Sequence, residues 1–459
     1  MSPSDKSGPA LGQVRPDFIP HDRYTSRAFA QLEKERLWTK TWLWACREEE
    51  IPKVGDYYTF DIADQSVILV RSEPDTIRAF HNVCPHRGRA ITSGCGHAKH
   101  LHCAFHAWQW HLDGSIKRVL DRDDWSGCDG MADGDLHLVD VRVGRWGGFV
   151  FINMDPAGES FESFIEPVPE YLNCMQFETM GYCWHKTVKL KANWKVAQEA
   201  FMESYHVMGT HPQFLAIVDE KNISQAQGKH GHHLYLFERP PGAPSRRTGQ
   251  PVPEDMRAAF KGFLGAFSQV ADKTGNGQQS LRSIQAGQQA VEGLPAGATP
   301  QEVMGAAVMA MYAAAQADGA HFPLPSPEQQ AAMGVDWNIF PNLSLVYGFD
   351  GTLIMRARPL GDDPDACLLD LCAIINWGEG KAPPLQRQYF EDWRSQPDEI
   401  PYLLAQDLRN MEQVQKGLHS IGLKGLRPSP LQEKQISHFH QVLDGYLGEP
   451  PREVLRRVG

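Results

Sequence analysis

The sequence lacks the long apolar runs of a membrane protein and the basic runs of a nucleic-acid-binding protein. No stretch offers the roughly 18 consecutive apolar residues that a membrane-spanning helix needs. The polar opening segment MSPSDKSGPALGQVRPD also lacks the apolar core of a secretory leader. The formal net charge is −11, and lysine and arginine are dispersed. We therefore expect a cytoplasmic protein that binds small molecules or proteins, with no nucleic acid and no membrane as partner.

Cysteine is also scarce, and its distribution does not suggest a disulfide framework. Nine cysteines occur among 459 residues, and they stand singly between Cys46 and Cys372. This spacing indicates reduced thiols, some of which could serve as metal ligands. A G-x-G-x-x-G motif after a predicted strand is absent too, so the chain is not expected to bind a nicotinamide dinucleotide itself.

Two of these cysteines form the motif around which the chain is organised. Cys84 is followed by His86 and Cys103 by His106, with sixteen residues between His86 and Cys103. Zinc sites usually pair like ligands, as C-x₂₋₄-C and H-x₃₋₅-H, whereas each pair here combines a thiol with an imidazole. A Rieske [2Fe-2S] centre needs two thiolates on one iron and two imidazoles on the other. The mixed pairs therefore favour a Rieske centre, and a zinc ribbon remains the alternative.

The segments CPHRG at 84–88 and CAFHAW at 103–108 resemble those of the Rieske non-heme iron oxygenases. Within that group they resemble the catalytic (alpha) subunit of the aromatic-ring-hydroxylating oxygenase family. Respiratory-type Rieske proteins carry an additional cysteine in each loop, but Arg89 and Phe105 stand near those positions here. The resemblance implies a [2Fe-2S] cluster bound by Cys84, His86, Cys103 and His106.

A second group of candidate ligands lies at 193–211, in NWKVAQEAFMESYHVMGTH. The apolar period predicts a helix over 193–208, which would place Glu203 and His206 on one face. His211 follows after Gly209. Two histidines with a distant carboxylate form the facial triad of non-heme Fe(II), which leaves positions open for dioxygen and substrate. Two histidines near a helix end are a weak pattern alone, because such residues are often structural.

The third iron ligand is not determined by spacing. Asp407 resembles the late-helix carboxylate of the family, with Asn410 three residues on, and Asp398 and Glu412 are the alternatives. The resemblance implies a mononuclear Fe(II) bound by His206, His211 and Asp407.

Two departures from the family pattern concern the same segment. Ala200 stands where asparagine is frequent, and Glu203 stands where ring-hydroxylating dioxygenases usually carry aspartate. The glutamate form occurs in relatives that act as monooxygenases, including some that attack quaternary ammonium compounds. Glu203 also resembles the carboxylate that bridges the iron-ligand histidine to the cluster histidine, here His106, of a neighbouring subunit. The resemblance therefore implies that Glu203 takes part in electron transfer within a head-to-tail homotrimer.

The apolar patterns predict an α+β protein. The resemblance implies a small all-β Rieske [2Fe-2S] domain and a larger catalytic domain with an antiparallel, helix-grip-like sheet. We expect a lead-in and helix at 1–40, the Rieske domain at 41–160 and the catalytic domain at 161–459, of which 240–335 is an insertion, either a lid or partly mobile. The lead-in is expected to be disordered to about residue 20.

Helices are predicted at 25–44 and 300–317, a linker at 160–177 and a helix-rich region at 383–415. The two cluster loops are expected at hairpin tips. Strands are predicted at 57–61, 66–70, 77–82, 149–153, 184–191, 343–347, 352–359 and 366–376.

The resemblance implies a terminal oxygenase that activates O2 at the mononuclear iron with electrons from the Rieske cluster. It would mono- or dioxygenate an apolar, aromatic or polycyclic substrate, and a separate NAD(P)H-dependent reductase, with or without a ferredoxin, would supply electrons. One alternative is a monooxygenase or demethylase of a quaternary ammonium compound. Another is a non-catalytic Rieske electron carrier, which would bind the cluster irons but not the additional iron.

Basic side chains predominate around the cluster motif. Between residues 84 and 118 the chain carries Arg87, Arg89, Lys99, Lys117 and Arg118 but one acidic residue, Asp113. We expect this region to attract an acidic redox partner.

Overall fold

The computed structural model describes residues 12–236 and 238–448. They form two units, one of residues 12–30 with 165–444 and one of residues 31–164 with 445–448. Within the described ranges, no helix is long and apolar enough to cross a membrane. Each unit has its own sheet, and each carries one of the two groups of candidate ligands.

From residue 12 onward, the described part of the N-terminal segment is more ordered than its polar sequence suggests. Residues 1–11 of the expected disordered lead-in lie outside the described residues, but strand β1 (Ile19–Pro20) pairs with Gly425–Leu426, and Ile19 is fully buried. Helices α1 (Asp22–Thr25) and α2 (Arg27–Arg36) follow. The helix predicted at 25–44 was wrong beyond residue 36, because Leu43–Arg47 is a wholly buried strand whose pairing partner is distant in sequence.

The smaller unit is built from antiparallel strands. They are β2 (Leu43–Arg47), β3 (Asp56–Ile62), β4 (Gln65–Glu73), β5 (Thr76–His81), β6 (Cys95–His97), β7 (Leu101–His102), β8 (Gln109–Trp110), β9 (Ile116–Arg118), β10 (Asp140–Trp146) and β11 (Phe149–Asn153). One sheet has the order β2-β11-β10-β5-β4-β3-β6 and the other β7-β8-β9. The four strands predicted here correspond to β3, β4, β5 and β11, so the expected all-β domain is present.

The hydrophobic core of the smaller unit includes the two ligand cysteines. Cys84 and Cys103 pack in one buried cluster with Phe80, Trp108 and Trp110. The thiols are therefore held by the packed interior of the domain, although the loops that carry them reach the surface.

The larger unit is centred on an eight-stranded sheet. Its strands are β12 (Gly181–Leu190), β13 (Asn222–Gln227), β14 (His230–Tyr235), β15 (Asp336–Ile339), β16 (Leu343–Tyr347), β17 (Gly351–Leu360), β18 (Asp363–Ile375) and β19 (Arg387–Phe390). The order is β13-β14-β15-β16-β17-β18-β12-β19, and neighbours are antiparallel apart from the parallel pair β12 and β19. The four strands predicted here correspond to β12, β16, β17 and β18.

Helices border this sheet, and one of them lies against its centre. The predicted linker contains α3 (Phe161–Ile165) and α4 (Val168–Leu172), followed by α5 (Trp194–Glu199) and α6 (Val207–Thr210). Gln198 on α5 donates a hydrogen bond to Ser344 Oγ on β16 at 2.7 Å, so α5 faces the sheet. The last described elements are α11 (Tyr402–Leu418), the short strand β20 (Gly425–Leu426) and α12 (Lys434–Gly448). The region predicted to be helix-rich therefore begins with strand β19.

The segment 240–335 folds into helices with a core of its own. These are α7 (Met256–Ala266), α8 (Leu281–Glu292), α9 (Pro300–Ala317) and α10 (Pro327–Met333), and α9 has the predicted bounds. Thr299 and Glu302 form a capping box at the start of α9. A Cβ atom at Gly287 on α8 would lie 2.6 Å from Met311 Cε on α9, so the helices approach closely. The abundant alanine and glycine thus permit tight helix packing.

Candidate metal centres

The two cluster loops have the same backbone conformation. In each, the cysteine N–H donates to the carbonyl oxygen five residues on, at 2.9 Å from both Cys84 and Cys103. The residue four positions after the cysteine has a positive φ, +75° at Gly88 and +58° at Ala107. The second loop joins β7 to β8 and is a hairpin tip as expected. The first joins β5 to β6, which do not pair, so the hairpin expected there is absent.

The four cluster side chains come together within these loops. Cys84 and Cys103 are 2% and 1% exposed, and the rings of His86 and His106 lie with centroids 4.4 Å apart. His86 also stacks on Trp108, and its buried Nδ1 has no hydrogen-bond partner among the described residues. Burial raises the pKa of the Cys84 thiol, and the adjacent Cys103 thiol raises it further. Iron bound here would stabilise both thiolates and satisfy Nδ1, so these residues fit a Rieske cluster.

A buried polar network anchors the helix that precedes the second group of ligands. The Tyr24 hydroxyl donates to Glu199 at the end of α5 at 2.8 Å. Arg23 Nε donates to His440 Nδ1 at 3.0 Å, so His440 Nε2 carries the proton that it shares with Glu199 at 2.8 Å. Burial raises the pKa of Glu199 to about 8, although the Tyr24 hydrogen bond acts in the opposite direction. The network therefore joins α5 to helix α1 near the N-terminus and to helix α12 near the C-terminus.

The helix predicted over 193–208 is interrupted. It ends at Glu199, and α6 begins only at Val207, so Glu203 and His206 do not share a helix face. They meet through a turn, in which Glu203 Oε1 lies 2.6 Å from His206 Nδ1 and Glu203 Oε2 accepts from the His206 N–H at 2.9 Å. Burial alone would lower the pKa of His206, but the hydrogen bond with Glu203 and the charges of Glu203, Asp407 and Glu433 together outweigh burial and raise the pKa to about 9.

The turn brings His206 and His211 to one carboxylate. Asp407 Oδ1 on α11 lies 2.9 Å from His211 Nε2 and 3.7 Å from His206 Nε2. The three ligand atoms lie within 4.8 Å of one another. Of the two alternatives, Glu412 bonds to the Arg394 guanidinium and Asp398 is exposed. The structure therefore groups Asp407, and neither alternative, with the two histidines.

Each of these histidines has a separate partner for Nδ1. The Nδ1 of His206 faces the Glu203 carboxylate, whereas His211 Nδ1 lies 3.0 Å from Gln406 Oε1. Both Nε2 atoms are thereby left for a metal, the arrangement found around metal-bound histidines, so the donor set fits a mononuclear iron. Sequence reasoning missed Gln406. Its only signal is its position next to Asp407, and a half-buried glutamine on a helix is common.

Three further histidines of the larger unit lie in its core. His230, His232 and His233 on β14 are all at most 2% exposed. His233 Nδ1 pairs with Asp336 at 2.7 Å, and burial lowers the pKa of His232 to about 4. They hold β14 in place rather than joining the candidate iron site.

Two domain families match this chain. The Rieske [2Fe-2S] domain matches residues 41–124, and the ring-hydroxylating alpha subunit (catalytic domain) matches residues 177–449. The chain belongs to the ring-hydroxylating alpha subunit family. This alpha subunit therefore has the fold of a Rieske oxygenase, and its cofactors are a Rieske [2Fe-2S] cluster and a mononuclear iron. The Cys-His pairs at 84–86 and 103–106 therefore belong to a Rieske domain and not to a zinc ribbon.

Curated relatives of this alpha subunit include two oxygenase subunits. The carnitine monooxygenase oxygenase subunit of Escherichia coli is 35% identical over 251 residues, which are 53% of this chain and 64% of that protein. The glycine betaine monooxygenase oxygenase subunit of Chromohalobacter salexigens is 33% identical over 201 residues, 43% of this chain and 44% of that protein. Each match spans less than two thirds of the relative.

A solved structure extends the comparison to the whole fold of this alpha subunit. The quaternary ammonium Rieske monooxygenase CntA in complex with L-carnitine covers 94% of this chain and 97% of its own, with a TM-score of 0.62 and 20% identity. At that identity the likeness establishes a common fold.

Proposed function

We propose that the chain is the oxygenase component of a Rieske monooxygenase that oxidises a small quaternary ammonium compound. The observation that carries the oxygenase assignment is the convergence of His206, His211 and Asp407 on one point in the catalytic domain. Two imidazoles and a carboxylate leave coordination positions open for dioxygen and substrate. A pure electron carrier, the alternative from another class, needs only the Rieske domain.

The substrate class is the point at which we revise the sequence-based expectation. We expected an apolar, aromatic or polycyclic substrate. The relatives that are 33–35% identical are named for carnitine and glycine betaine, both of which carry a quaternary ammonium group. Glu203, in place of the aspartate usual in ring-hydroxylating dioxygenases, supports the same alternative.

The residues of the site have defined tasks in such a reaction. His206, His211 and Asp407 would hold the iron, which supplies dioxygen activation when bound. Glu203 and Gln406 would accept hydrogen bonds from the Nδ1–H groups and so leave both Nε2 lone pairs for the metal. One oxygen atom enters the substrate and the other leaves as water, with two electrons and two protons consumed. Hydroxylation of a carbon bonded to nitrogen then breaks that C–N bond, giving an amine and a carbonyl compound.

A single-turnover assay tests this substrate class. Chemically reduced protein is mixed with O2 and with carnitine, glycine betaine or naphthalene, so that no reductase is needed. We expect O2-dependent release of an amine and a carbonyl product from one of the ammonium compounds, and no product from naphthalene. Hydroxylated naphthalene with intact carnitine and glycine betaine would instead support the aromatic substrate. Fully loaded metal sites that oxidise no substrate would support the electron carrier.

We also propose that electrons pass between copies of the chain in a head-to-tail homotrimer. Each candidate metal site is bordered by an exposed ring next to its ligand histidine, Phe105 (53% exposed) at the cluster and Tyr205 (50% exposed) at the iron. A guanidinium covers each ring, Arg87 at 5.3 Å and Arg247 at 5.5 Å. Such exposed aromatic and arginine pairs are typical of protein interfaces.

Reduction of the cluster by its partner should depend on salt concentration. An open groove of about 550 Å³ beside the cluster loops is lined by Arg89, His97, His100 and His102 among other residues. Lys117 Nζ lies 3.2 Å from His100 Nδ1. Arg89 and Lys117 give this surface positive charge, which fits an acidic reductase or ferredoxin. The attraction of such a partner weakens as the Debye length falls from about 10 Å at 0.1 M to about 3 Å at 1 M.

We expect Lys99→Glu with Lys117→Glu to slow partner-dependent cluster reduction by about 10-fold or more at low salt, with a smaller effect at high salt. Stopped-flow absorbance of the cluster measures the rate. Lys416→Glu with Lys424→Glu, an equal charge change at exposed positions of the larger unit, is the matched control. If neither salt nor the Lys99 and Lys117 substitutions change the rate, the redox partner binds at another surface.

A further inference from the structure

Three glutamine side chains connect the helical insertion to an iron ligand. Gln406 Oε1 on α11 lies 3.0 Å from His211 Nδ1 and accepts a hydrogen bond from Gln213 Nε2 at 2.8 Å. The same Gln213 nitrogen lies 3.3 Å from Gln269 Oε1, in the 3₁₀ turn after α7. The chain of contacts therefore runs from the insertion, through the segment after His211, to the metal-facing imidazole.

These amides select the tautomer and the ring orientation of His211. The Gln406 oxygen has no proton to give, so a neutral His211 donates from Nδ1 and keeps its lone pair on Nε2, which is the tautomer that can bind a metal. His211 Nε2 lies 2.9 Å from Oδ1 of Asp407, the carboxylate of the candidate iron site. Gln213 donates to the same oxygen and so fixes its direction. The tautomer and the ring orientation of the ligand are thus set by groups that do not touch the metal.

The insertion is also attached to the ligand segment by its backbone. The Ser245 N–H donates to the Leu215 carbonyl at 2.8 Å, and the Gly242 N–H donates to the Ile217 carbonyl at 2.9 Å. Arg246 forms a bidentate ion pair with Asp219, with Nε to Oδ2 at 2.9 Å. The beginning of the insertion therefore packs along residues 215–219. Gln269, later in the insertion, contacts the Gln213 side chain directly.

The two ligand histidines also differ in the charge of their Nδ1 partners. His206 faces the carboxylate of Glu203, which is close in sequence, whereas His211 faces a neutral amide held by a distant element. A neutral acceptor raises the basicity of an imidazole less than a carboxylate does. Because the Gln406 acceptor is bonded to Gln213, which in turn contacts Gln269, His211 is the ligand that is connected to the insertion.

We propose that the helical insertion controls iron binding through the relay Gln269–Gln213–Gln406, in which these glutamines are positioning residues for His211. The proposal rests on the iron site assigned under the proposed function. It gives the insertion a role in metal retention and ligand geometry that does not depend on the identity of the substrate.

Iron binding by protein that retains its cluster tests the relay. Mononuclear iron is removed with a chelator and Fe(II) is titrated back, with the cluster absorbance as a check. We expect Gln406→Leu to weaken Fe(II) binding about 10- to 100-fold. Gln269→Leu, which removes one neutral hydrogen bond, should weaken it about 2- to 10-fold. The double variant should bind no more weakly than Gln406→Leu alone, because the relay is already broken.

A spectroscopic measurement separates positioning from general damage. The EPR spectrum of the nitric oxide adduct of bound Fe(II) should change in Gln406→Leu, Gln269→Leu and Gln213→Leu. Gln301→Leu, at an exposed glutamine of the same insertion, should leave the affinity and the spectrum unchanged. Gln406→Glu, which keeps an acceptor for His211, should restore wild-type affinity or exceed it.

Two results would overturn the relay. One is wild-type Fe(II) affinity and spectrum in both Gln269→Leu and Gln213→Leu, and the other is a double variant whose loss is the product of the single losses. A wild-type protein that binds no Fe(II) at His206, His211 and Asp407 would instead remove the proposed function. If the wild-type protein binds Fe(II) there and the Gln269→Leu and Gln213→Leu variants bind it equally well, the relay is wrong but the proposed function stands.

Discussion

Alanine at His206, His211 or Asp407 should abolish substrate oxidation and leave the visible and EPR signatures of the Rieske cluster intact. The two sites have separate ligands on separate units, so loss of one iron does not remove the other cofactor. Activity should fall by at least about 10³-fold, as expected when one member of an interdependent catalytic set is lost. Metal analysis should show loss of the mononuclear iron with unchanged acid-labile sulfide.

The reciprocal change and two carboxylate controls make this result specific. Cys84→Ser should remove the cluster spectrum while the second iron is retained. Asp398→Ala and Glu412→Ala should keep near-normal iron and turnover, because neither carboxylate is grouped with the histidines. An Asp407→Ala enzyme with full iron and full turnover would transfer the third ligand to one of those two residues.

Glu203→Gln should leave both metal sites filled but slow electron transfer from cluster to iron by about 10- to 100-fold. The carboxylate bonds to both Nδ1 and the backbone N–H of His206, and a charge-assisted hydrogen bond is about twice as strong as a neutral one. The rate is measured as reoxidation of the reduced cluster in a single turnover. Glu203→Asp, which keeps the charge, should retain more of this rate than Glu203→Gln does.

Mixing two inactive subunits tests whether the transfer is between chains. Cys84→Ser should lack the cluster and His206→Ala should lack the iron, so either variant alone should be inactive in the proposed homotrimer. If electrons cross between subunits, co-assembled rings contain some intact cluster-to-iron pairs and regain part of the activity. Continued inactivity in verified mixed rings would favour transfer within one chain and remove the bridging role proposed for Glu203.

The cluster motif was readable from sequence because its ligands and backbone are local. Four donors in two short loops identify the centre, and the strands around them alternate or remain apolar over short distances. The carboxylate ligand was harder to predict, because Asp407 is far from the histidines in sequence and only the resemblance selected it. The missed second partner, Gln406, has no chemical signature apart from its contact with His211.

The errors arose where tertiary pairing overrode a local pattern. The apolar period of a helix continues through 193–208, but the chain leaves the helix after Glu199 so that Glu203 can bond back to His206. Leu43–Arg47 follows a helix, yet all five of its residues are buried and four of them pair with a strand about a hundred residues later. The core of the insertion was not predicted, because its composition is rich in alanine and glycine. These small residues allow the helices to pack closely around a buried cluster.

The sequence of the larger unit is discontinuous, and this affects the order in which the protein folds during synthesis. Arg23 bonds to His440, 417 residues later, and residues 31–164, which carry the sheets of the smaller unit, are encoded between them. At about 5–20 residues per second, a ribosome needs roughly 20–80 s to cover that distance. The Rieske domain therefore leaves the ribosome complete and free to receive its cluster, while the N-terminal segment waits for the last helix. The larger unit can be completed only when its last helix has been translated.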